Sequence, residues 1–382
     1  MHFEFATASR IVFGPGTLPQ VGPAAAAMGR RALVVVGHTA DRAAPVLALL
    51  HRQGVGAVTF GVNSEPTTHL LLEGVCRARE EQCDLIVGFG GGSVVDTGKA
   101  IAALLANPGD LEDYLEIIGR GKPLTQPSLP YIAIPTTAGT GAEVTRNAVL
   151  ASPEHRVKVS LRSPLMLPRL ALVDPELTIS LPPHATAGSG LDALTQLIEP
   201  FVSSKGNPMT DAFCREGIGR VARSLRRAFE HGDDAAARED MALASLLGGL
   251  ALANAGLGAV HGFAGPVGGM FPAPHGPTCG RLLPYVMAAN VQALQQSGGS
   301  ALQRYDEVGQ IVTANPHATA QAGVDWVHTL VAALQMPPLA TYGLRPQDIP
   351  ALVEKAAVAS SMQANPVKFT LEQLQEILAQ AL

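Results

Sequence analysis

The stretch VGFGGGSVVDTGKA (87–100) joins an apolar, strand-like run to a helical pattern through a run of glycines. Glycines let the backbone come close to a ligand, and the first turn of a helix presents free N–H groups and the positive end of its dipole. The stretch therefore predicts a pyrophosphate-binding turn at Gly91, Gly92 and Ser93. An ordinary tight turn between a strand and a helix would have the same pattern.

A second Gly-rich loop, IPTTAGTGAEVT (134–145), also follows an apolar run and offers the hydroxyls of Thr136 and Thr137. Two such loops at strand ends suit an extended, phosphate-bearing ligand at the carboxyl edge of a parallel sheet. Neither loop has the G-x-G-x-x-G spacing or a Walker A lysine. We therefore predict nucleotide binding, but without either common fingerprint.

Around these loops, short apolar runs alternate with helical patterns up to about residue 185, which predicts a parallel sheet covered by helices on both faces. The predicted strands are 31–37, 56–62, 83–90, 129–135 and, more weakly, 170–175. Beyond them only helical patterns follow: 191–204, 209–230, 235–257, 281–295, 318–335, 346–361 and 370–381. We predict an α/β dinucleotide-binding domain at 1–185 and an all-helical metal and substrate domain at 186–382, with the active site in the cleft between them.

Composition narrows the class of protein. The chain of 382 residues has a formal net charge of -5 and no basic run, which argues against a nucleic-acid partner. Cys76, Cys83, Cys214 and Cys279 lack CxxC spacing and are expected to be free thiols in a reducing compartment. No signal-peptide pattern is seen, and the uncharged stretch 241–260 favours a buried core helix over a membrane span. We therefore expect a cytoplasmic protein.

The segment GLDALTQLIEP (190–200) places Asp192 and Gln196 one turn apart on one face of a helix. Farther along, His261 and His275 lie in a stretch dense in Gly and Pro. Taken alone, each histidine is more often a structural residue than a ligand. Together with the aspartate, they provide enough protein ligands for a catalytic divalent ion with an open position.

Several of these motifs belong to a longer ordered set. The set consists of GGGSVVDTGKA, AIPTTAGTGAEVT, VDPELTISLPP, GLDALTQLIEP and AGLGAVHGFAGPVGGMFPAPHG. In this order and nearly over the whole chain, it resembles the iron-containing (group III) alcohol dehydrogenases of the dehydroquinate synthase-like superfamily. The resemblance implies a nucleotide-binding α/β domain, a helical metal-binding domain, hydride transfer between NAD(P) and an alcohol or aldehyde, and a homodimer or larger assembly.

Carried over residue by residue, the resemblance assigns a pyrophosphate turn, a nucleotide pocket and a lysine near the cofactor. The residues that it assigns to the cofactor are Gly91, Gly92, Ser93, Asp96, Lys99, Thr136, Thr137 and Lys158. Asp192, His261 and His275 match three of the four family metal ligands, and we expect them to carry the catalysis.

The fourth family ligand is a histidine, and this chain has Gln196 in its place. An amide oxygen coordinates a cation more weakly than imidazole does. Three alternatives follow. Zinc or another divalent ion binds the three remaining residues, as in the related glycerol dehydrogenases; or iron or manganese binds with Gln196 as a fourth ligand; or no functional metal is present, as the related maleylacetate reductases suggest.

Two glycines mark further departures. Gly265 stands four residues after His261, where the family places a second histidine near the nicotinamide, so that proton relay is missing. Gly37 follows the first predicted strand, where family members that prefer NAD often have an aspartate. Without that carboxylate a 2′-phosphate is not repelled, so we expect NADPH to be accepted. Arg31 and His38 are the basic residues closest in sequence.

We therefore expect an NAD(P)-dependent dehydrogenase of small alcohols or reductase of small carbonyl compounds, with the proton supplied by water or a ribose hydroxyl. A non-redox lyase resembling dehydroquinate synthase would need a basic motif for phosphate and carboxylate, which the helical half lacks. A homologue that binds nucleotide or metal without catalysis is the other alternative, and the two missing histidines motivate it.

Overall fold

A six-stranded parallel sheet organises the first half of the computed structural model, which describes residues 2–37 and 40–382. The strands are β1 (Ile11–Phe13), β2 (Arg31–Val36), β3 (Gly56–Gly61), β4 (Leu85–Gly90), β5 (Tyr131–Pro135), β6 (Asn147–Ser152), β7 (Val157–Arg162) and β8 (Leu170–Val173). The parallel sheet has the order β1-β8-β5-β4-β2-β3, while β6 and β7 form a separate antiparallel pair.

Alternate side chains of the sheet enter two different apolar cores. In β2, Leu33 and Val35 belong to one core, whereas Val34 and Val36 belong to the other. The helices of this part are α1 (Val21–Ala26), α2 (Ala44–Arg52), α3 (Thr68–Glu80), α4 (Gly92–Ala106) and α5 (Leu111–Tyr114). Burial on both faces explains the uninterrupted apolar runs, and the predicted parallel α/β sheet is confirmed.

The rest of the chain is helical, as predicted. The helices are α6 (Pro183–Val202), α7 (Pro208–Glu230), α8 (Ala235–Ala255), α9 (Ala259–Met270), α10 (His275–Ser297), α11 (Ala301–Thr313), α12 (Ala320–Ala333), α13 (Ile349–Ala357) and α14 (Leu371–Gln380). Some of them differ from the sequence pattern. Helix α9 was not predicted, and α10 begins at His275 rather than near residue 281. In addition, α11 was not predicted, and α6 begins at Pro183 rather than near residue 191.

The chain divides into two compact units. The α/β unit comprises Ala6–Thr137 and Gly141–Thr178. The helical unit comprises Ile179–Leu382, the short segment Ala138–Thr140 and the N-terminal residues up to Phe5. The segment Ala138–Thr140 lies within the second Gly-rich loop, so that loop contributes residues to both units.

The uncharged stretch at 241–260 spans the end of α8 and the beginning of α9. Among the described residues, no single helix is both long and apolar enough to cross a membrane. Helices α8 and α9 reach that length and composition only as a pair, and the chain bends by 99° between them.

A buried tyrosine fixes α4, and with it the Gly-rich turn, against the sheet. The hydroxyl of Tyr131 in β5 donates a hydrogen bond to the carbonyl of Val95 in α4 at 2.8 Å. Glycines leave room for the ring. A Cβ at Gly98 would lie 2.9 Å from Cε2 of Tyr131, and one at Gly88 would collide with its hydroxyl oxygen. The absence of side chains at these glycines therefore sets the position of the helix.

We expect Gly88→Ala to lower the free energy of unfolding by about 1–3 kcal/mol, because the added methyl group overpacks the space around Tyr131. The measurement is the midpoint of chemical denaturation. Gly61→Ala is the matched control: the nearest atom to its Cβ would be 3.9 Å away, so its effect should stay within about 0.5 kcal/mol. Equal midpoints for the two variants would contradict this account.

Candidate active site

The predicted pyrophosphate turn lies where β4 runs into α4. Gly91 is the N-cap of α4, and no side chain caps this end of the helix. The first N–H groups of a helix lack intrahelical partners, so they remain available to an anion. A Cβ at Gly91 would lie 3.2 Å from Cγ2 of Thr137, closer than side chains normally pack. The turn at Gly91, Gly92 and Ser93 thus fits the phosphates of a nucleotide.

The second loop follows the neighbouring strand, β5. The backbone N–H of Thr136 donates to the carbonyl of Gly90 at 2.9 Å, which attaches the two loops to each other. Thr136 is buried, whereas Thr137 is half-buried. The structure therefore brings Thr136 and Thr137 next to the GGGS turn, as a nucleotide pocket requires.

Lys99, which the sequence assigned to the cofactor, is fully buried and braces the second loop. Its ammonium group donates to the carbonyls of Ala142 and Asn147, both at 2.7 Å, and to the hydroxyl of Thr145 at 2.9 Å. An ammonium has three N–H donors, which these three short contacts account for, and Oδ1 of Asp96 lies farther away, at 3.4 Å. Burial lowers the pKa of Lys99, while nearby Asp96 opposes this effect. Any contribution of Lys99 to cofactor binding is therefore made by positioning the loop.

Asp96 and Lys158 also have protein partners. The carboxylate of Asp96 accepts a hydrogen bond from the backbone N–H of Val149 at 2.9 Å, which attaches β6 to α4. Burial raises the pKa of Asp96, although Lys99 partly offsets the effect. Lys158 lies in β7, and its ammonium pairs with Glu65 at 3.0 Å.

Gly37 follows β2 directly, at the position that the sequence linked to NAD or NADP preference. A Cβ there would have Cγ2 of Val94 as its nearest neighbour, at 3.9 Å, so a side chain is accommodated. Arg31, at the other end of β2, forms an ion pair with Glu81. His38 lies outside the described residues.

The predicted metal ligands converge from three helices. Asp192 lies on α6, His261 on α9, and His275 is the first residue of α10. The Nε2 atoms of both histidines lie 3.6 Å from Oδ1 of Asp192. Small residues permit this convergence, because a Cβ at Gly276 or Gly280 of α10 would lie 2.5 or 2.6 Å from atoms of α6.

A fourth side chain, which we did not predict as a ligand, lies in the same cluster. Cys279 follows His275 by one helical turn, and its Sγ lies 3.7 Å from Nε2 of His275 and 3.9 Å from Nε2 of His261. With Asp192, these residues offer four ligand atoms within 4.8 Å of one another. The H-x-x-x-C spacing is the sequence signal for this residue, although Cys279 was predicted only to be a free thiol.

The cluster fits a divalent cation. Asp192 is buried, yet its Oδ1 has no hydrogen-bond partner among the described residues. Leaving a carboxylate oxygen buried and unpaired is costly, and a bound cation would remove that cost. Burial opposes ionisation of Asp192, but His275, His261 and Cys279 outweigh it and hold its pKa below the usual value. His275 is 33% exposed and leaves one side of the cluster accessible.

Two family descriptions match the chain: iron-containing alcohol dehydrogenase over residues 8–175, and the C-terminal region of the Fe-containing alcohol dehydrogenase family over residues 186–382. The chain belongs to the iron-containing alcohol dehydrogenase family. This confirms the resemblance inferred from the five motifs. As a member, the chain is an oxidoreductase that acts on CH–OH groups, in a family that uses NAD(P) and iron or another divalent metal.

Individual relatives are similar to this chain over nearly its whole length. A 1,3-propanediol dehydrogenase of Klebsiella pneumoniae is 34% identical over 387 residues, covering 99% of this chain and 98% of that protein. The crystal structure of a 1,3-propanediol oxidoreductase matches with a TM-score of 0.93 at 33% identity, covering 100% of both chains. A sulfoacetaldehyde reductase from Bifidobacterium kashiwanohense, crystallised with NAD+, matches with a TM-score of 0.87 at 28% identity, covering 99% of this chain and 98% of that one.

Gln196, at the position of the family's fourth ligand, is buried in α6. Its Nε2 donates to the carbonyl of Gly139 at 3.1 Å, while its Oε1 has no hydrogen-bond partner among the described residues. The amide therefore holds the second Gly-rich loop and keeps one acceptor free. At Gly265, where the family has another histidine, a Cβ would meet no atom within 4 Å, so packing does not exclude a side chain there.

Glu199 is a further residue of the site, and it was not predicted. It lies seven residues after Asp192, on the same face of α6. One carboxylate oxygen accepts from the backbone N–H of Val260 at 2.7 Å, and the other lies 2.6 Å from Nδ1 of His261. When a metal is bound, this contact would keep the ring proton on Nδ1 and leave the lone pair of Nε2 to the ion.

The surroundings of both histidines are acidic enough to outweigh their burial. Burial by itself lowers the pKa of His261, but Cys279, Glu199 and Asp192 raise it well above the usual value. The pKa of His275 is also raised, because Cys279 and Asp192 outweigh the burial of its ring. Without a metal, these acidic neighbours favour the protonated form of both rings, and a bound cation would take the place of the added protons.

We expect Glu199→Gln to weaken zinc binding by about 10- to 100-fold, the usual cost of losing a partner that orients a ligand. The two oxygens of Glu199 face different donors, and the amide replaces one of them by an NH2 group that cannot accept from Val260 or His261. Zinc dissociation constants, measured by competition with a chromophoric chelator, test this. Glu230→Gln, which removes a carboxylate paired with Arg226 on the surface of α7, is the control. Equal affinities for the two variants would refute the orienting role.

Proposed function

We propose that the chain is a metal-assisted, NAD(P)-dependent dehydrogenase of small alcohols that also reduces the corresponding aldehydes or ketones. The observation that carries the metal assistance is the buried Oδ1 of Asp192, which lies unpaired between His261 and His275. The names of two relatives, which refer to 1,3-propanediol and sulfoacetaldehyde, support a small, polar substrate.

Each residue of the metal cluster then has a role in hydride transfer between the cofactor and the substrate. Asp192, His261 and His275 would hold the ion, which when bound supplies Lewis-acid stabilisation of the negative charge that develops on the substrate oxygen. Glu199 orients His261 through Nδ1. Gly265 has no side chain to move a proton, so water or a ribose hydroxyl of the cofactor supplies it.

The cofactor is assigned to the α/β unit. The turn at Gly91, Gly92 and Ser93 would bind the pyrophosphate through backbone N–H groups, and Thr136 and Thr137 would line the pocket beside it. Asp96 and Lys99 position these loops from within the fold. Lys158, paired with Glu65 in the structure, would have to leave that partner to reach a nucleotide.

The identity of the metal depends on the fourth position. The sequence assigns Gln196 to it, and the unpaired Oε1 supports a place for this residue beside the ion. An oxygen donor at that position favours iron or manganese, whereas the three-residue set by itself is sufficient for zinc.

We also propose that the protein is cytoplasmic and a homodimer or larger homo-oligomer. The four cysteines are all free thiols, which supports a reducing compartment. The oligomeric state is proposed only because the family resemblance implies a homodimer or larger assembly.

The test of the function measures NADH and NADPH oxidation with a panel of small aldehydes and ketones, before and after removal of metal by a chelator. We expect activity that is lost on chelation and restored by zinc or iron(II). Asp192→Asn, which keeps the size of the side chain and removes its charge, should behave like the chelated protein. Cys76→Ser, a change at an exposed cysteine, is the control.

The other outcomes favour the rival functions. Full activity in metal-free protein would refute metal assistance and favour a reductase of the maleylacetate reductase type. No oxidation with any substrate, metals supplied, would favour a catalytically silent homologue. Turnover of a substrate without net change of NAD(P)H would favour a lyase.

The cofactor preference has its own test at Gly37. We expect Gly37→Asp to raise the KM for NADPH far more than the KM for NADH, because a carboxylate repels a 2′-phosphate and accepts a hydrogen bond from a 2′-hydroxyl. Gly37→Asn is the matched control, since it has the same shape without the charge. If both variants changed the two KM values equally, Gly37 would not lie near the ribose.

A further inference from the structure

We propose that Cys279 is the fourth protein ligand of the metal and that its thiolate makes the site selective for zinc over iron. The proposal rests on the metal site of the proposed function. It assigns to Cys279 the position that the sequence assigned to Gln196, and it changes the chemical class of that ligand from an oxygen to a sulfur.

The distances agree with four ligands of one tetrahedral ion. With metal–nitrogen and metal–oxygen bonds of about 2.0–2.1 Å and metal–sulfur bonds of about 2.3 Å, neighbouring ligand atoms are separated by about 3.3–3.6 Å. The two separations between histidine nitrogens and Asp192 Oδ1 are 3.6 Å. Those from Cys279 Sγ to the same nitrogens are 3.7 and 3.9 Å, so the sulfur fits nearly as well as the predicted ligands.

The helix explains how the sulfur reaches the cluster. His275 and Cys279 lie one turn apart on α10 and therefore share a face, which Gly276 and Gly280 bring close to α6. Cys279 is completely buried, and its thiol points at two imidazoles and a carboxylate rather than into an apolar core. The unpaired Oδ1 of Asp192, aimed at the same point, independently indicates a cation there.

Gln196 is already engaged elsewhere. Its amide nitrogen donates to the carbonyl of Gly139, which leaves only its Oε1 as a possible donor to a metal. An amide oxygen is a weak, hard donor, whereas a thiolate is a strong, soft donor that favours zinc. Zinc also accepts a fifth ligand, and the 33% exposure of His275 leaves one side open for the substrate.

The experiment uses the full-length protein loaded with zinc or with cobalt(II). X-ray absorption at the zinc edge should show one sulfur neighbour at about 2.3 Å. The cobalt protein should show a thiolate charge-transfer band in the near ultraviolet. We expect Cys279→Ser to lose that band and Cys279→Ala to bind zinc at least about tenfold more weakly, with a smaller effect on iron(II).

Two variants provide matched controls. Cys214→Ala removes another fully buried cysteine of the helical unit and should keep both the band and the zinc affinity. Gln196→Ala should also keep the band, because in this proposal Gln196 is not the fourth ligand.

Several results would overturn the proposal. Wild-type protein that binds zinc without a sulfur neighbour would exclude Cys279 while leaving the proposed metal site intact. Cys279 would also be excluded as the fourth ligand if Gln196→Ala abolished zinc binding and Cys279→Ala did not. Wild-type protein that binds neither zinc nor cobalt(II) would refute the proposal together with the metal-assisted function. The absorption spectrum of the wild type needs no substitution, so the proposal stays testable even if a variant fails to fold.

Discussion

The buried carboxylate of Asp192 is the constraint that orders the helical unit. A carboxylate oxygen removed from water needs positive charge or donors around it, and the nearest nitrogens, Nε2 of His261 and His275, lie 3.6 Å from Oδ1 of Asp192, too far for hydrogen bonds but suitable for a shared cation. Other residues hold these two histidines and their helices in place. Glu199 holds the ring of His261 and the first turn of α9, while Gly276 and Gly280 allow α10 to approach α6. The chemistry of one side chain thus explains the composition of three helices.

The α/β unit depends on a different kind of interaction. Lys99 is an internal cation whose three donors are all used by the backbone and a hydroxyl of the second Gly-rich loop. Asp96 attaches the β6–β7 hairpin to the same helix. The two charges that close the GGGS motif therefore act inward, on the shape of the loops, whereas the groups proposed to bind a nucleotide are backbone N–H groups and glycines. Charged side chains in this unit stabilise the two Gly-rich loops, and uncharged groups are the proposed contacts to the nucleotide.

The parallel sheet could be predicted because its central strands, β2, β4, β5 and β8, are buried on both faces and therefore have apolar sequences. The β6–β7 hairpin was not predicted, since its strands mix polar and apolar residues. Helix α9 was missed for another reason: Gly265 and Pro266 are typical of a loop, and only tertiary contacts such as the cap from Glu199 make the segment helical.

The candidate metal site could likewise be predicted only in part from the sequence. Asp192, His261 and His275 could be named from the family motif, and the structure brings them together. Cys279 had only the H-x-x-x-C spacing as a signal, and Glu199 had none. Each belongs to the cluster only through the packing of α6, α9 and α10, and sequence spacing gives no information about which helix faces which.

The hydrogen bond from Gln196 to Gly139 has an evolutionary consequence. A histidine introduced at position 196 would gain an imidazole for the ion, but it would remove the amide that now holds the carbonyl of Gly139. The two effects act on different parts of the protein, so the substitution would be advantageous only in a background where the loop is held by another group. An imidazole ligand and the present loop anchor are therefore alternatives at this one position, and a protein with both would need another group to hold the carbonyl of Gly139.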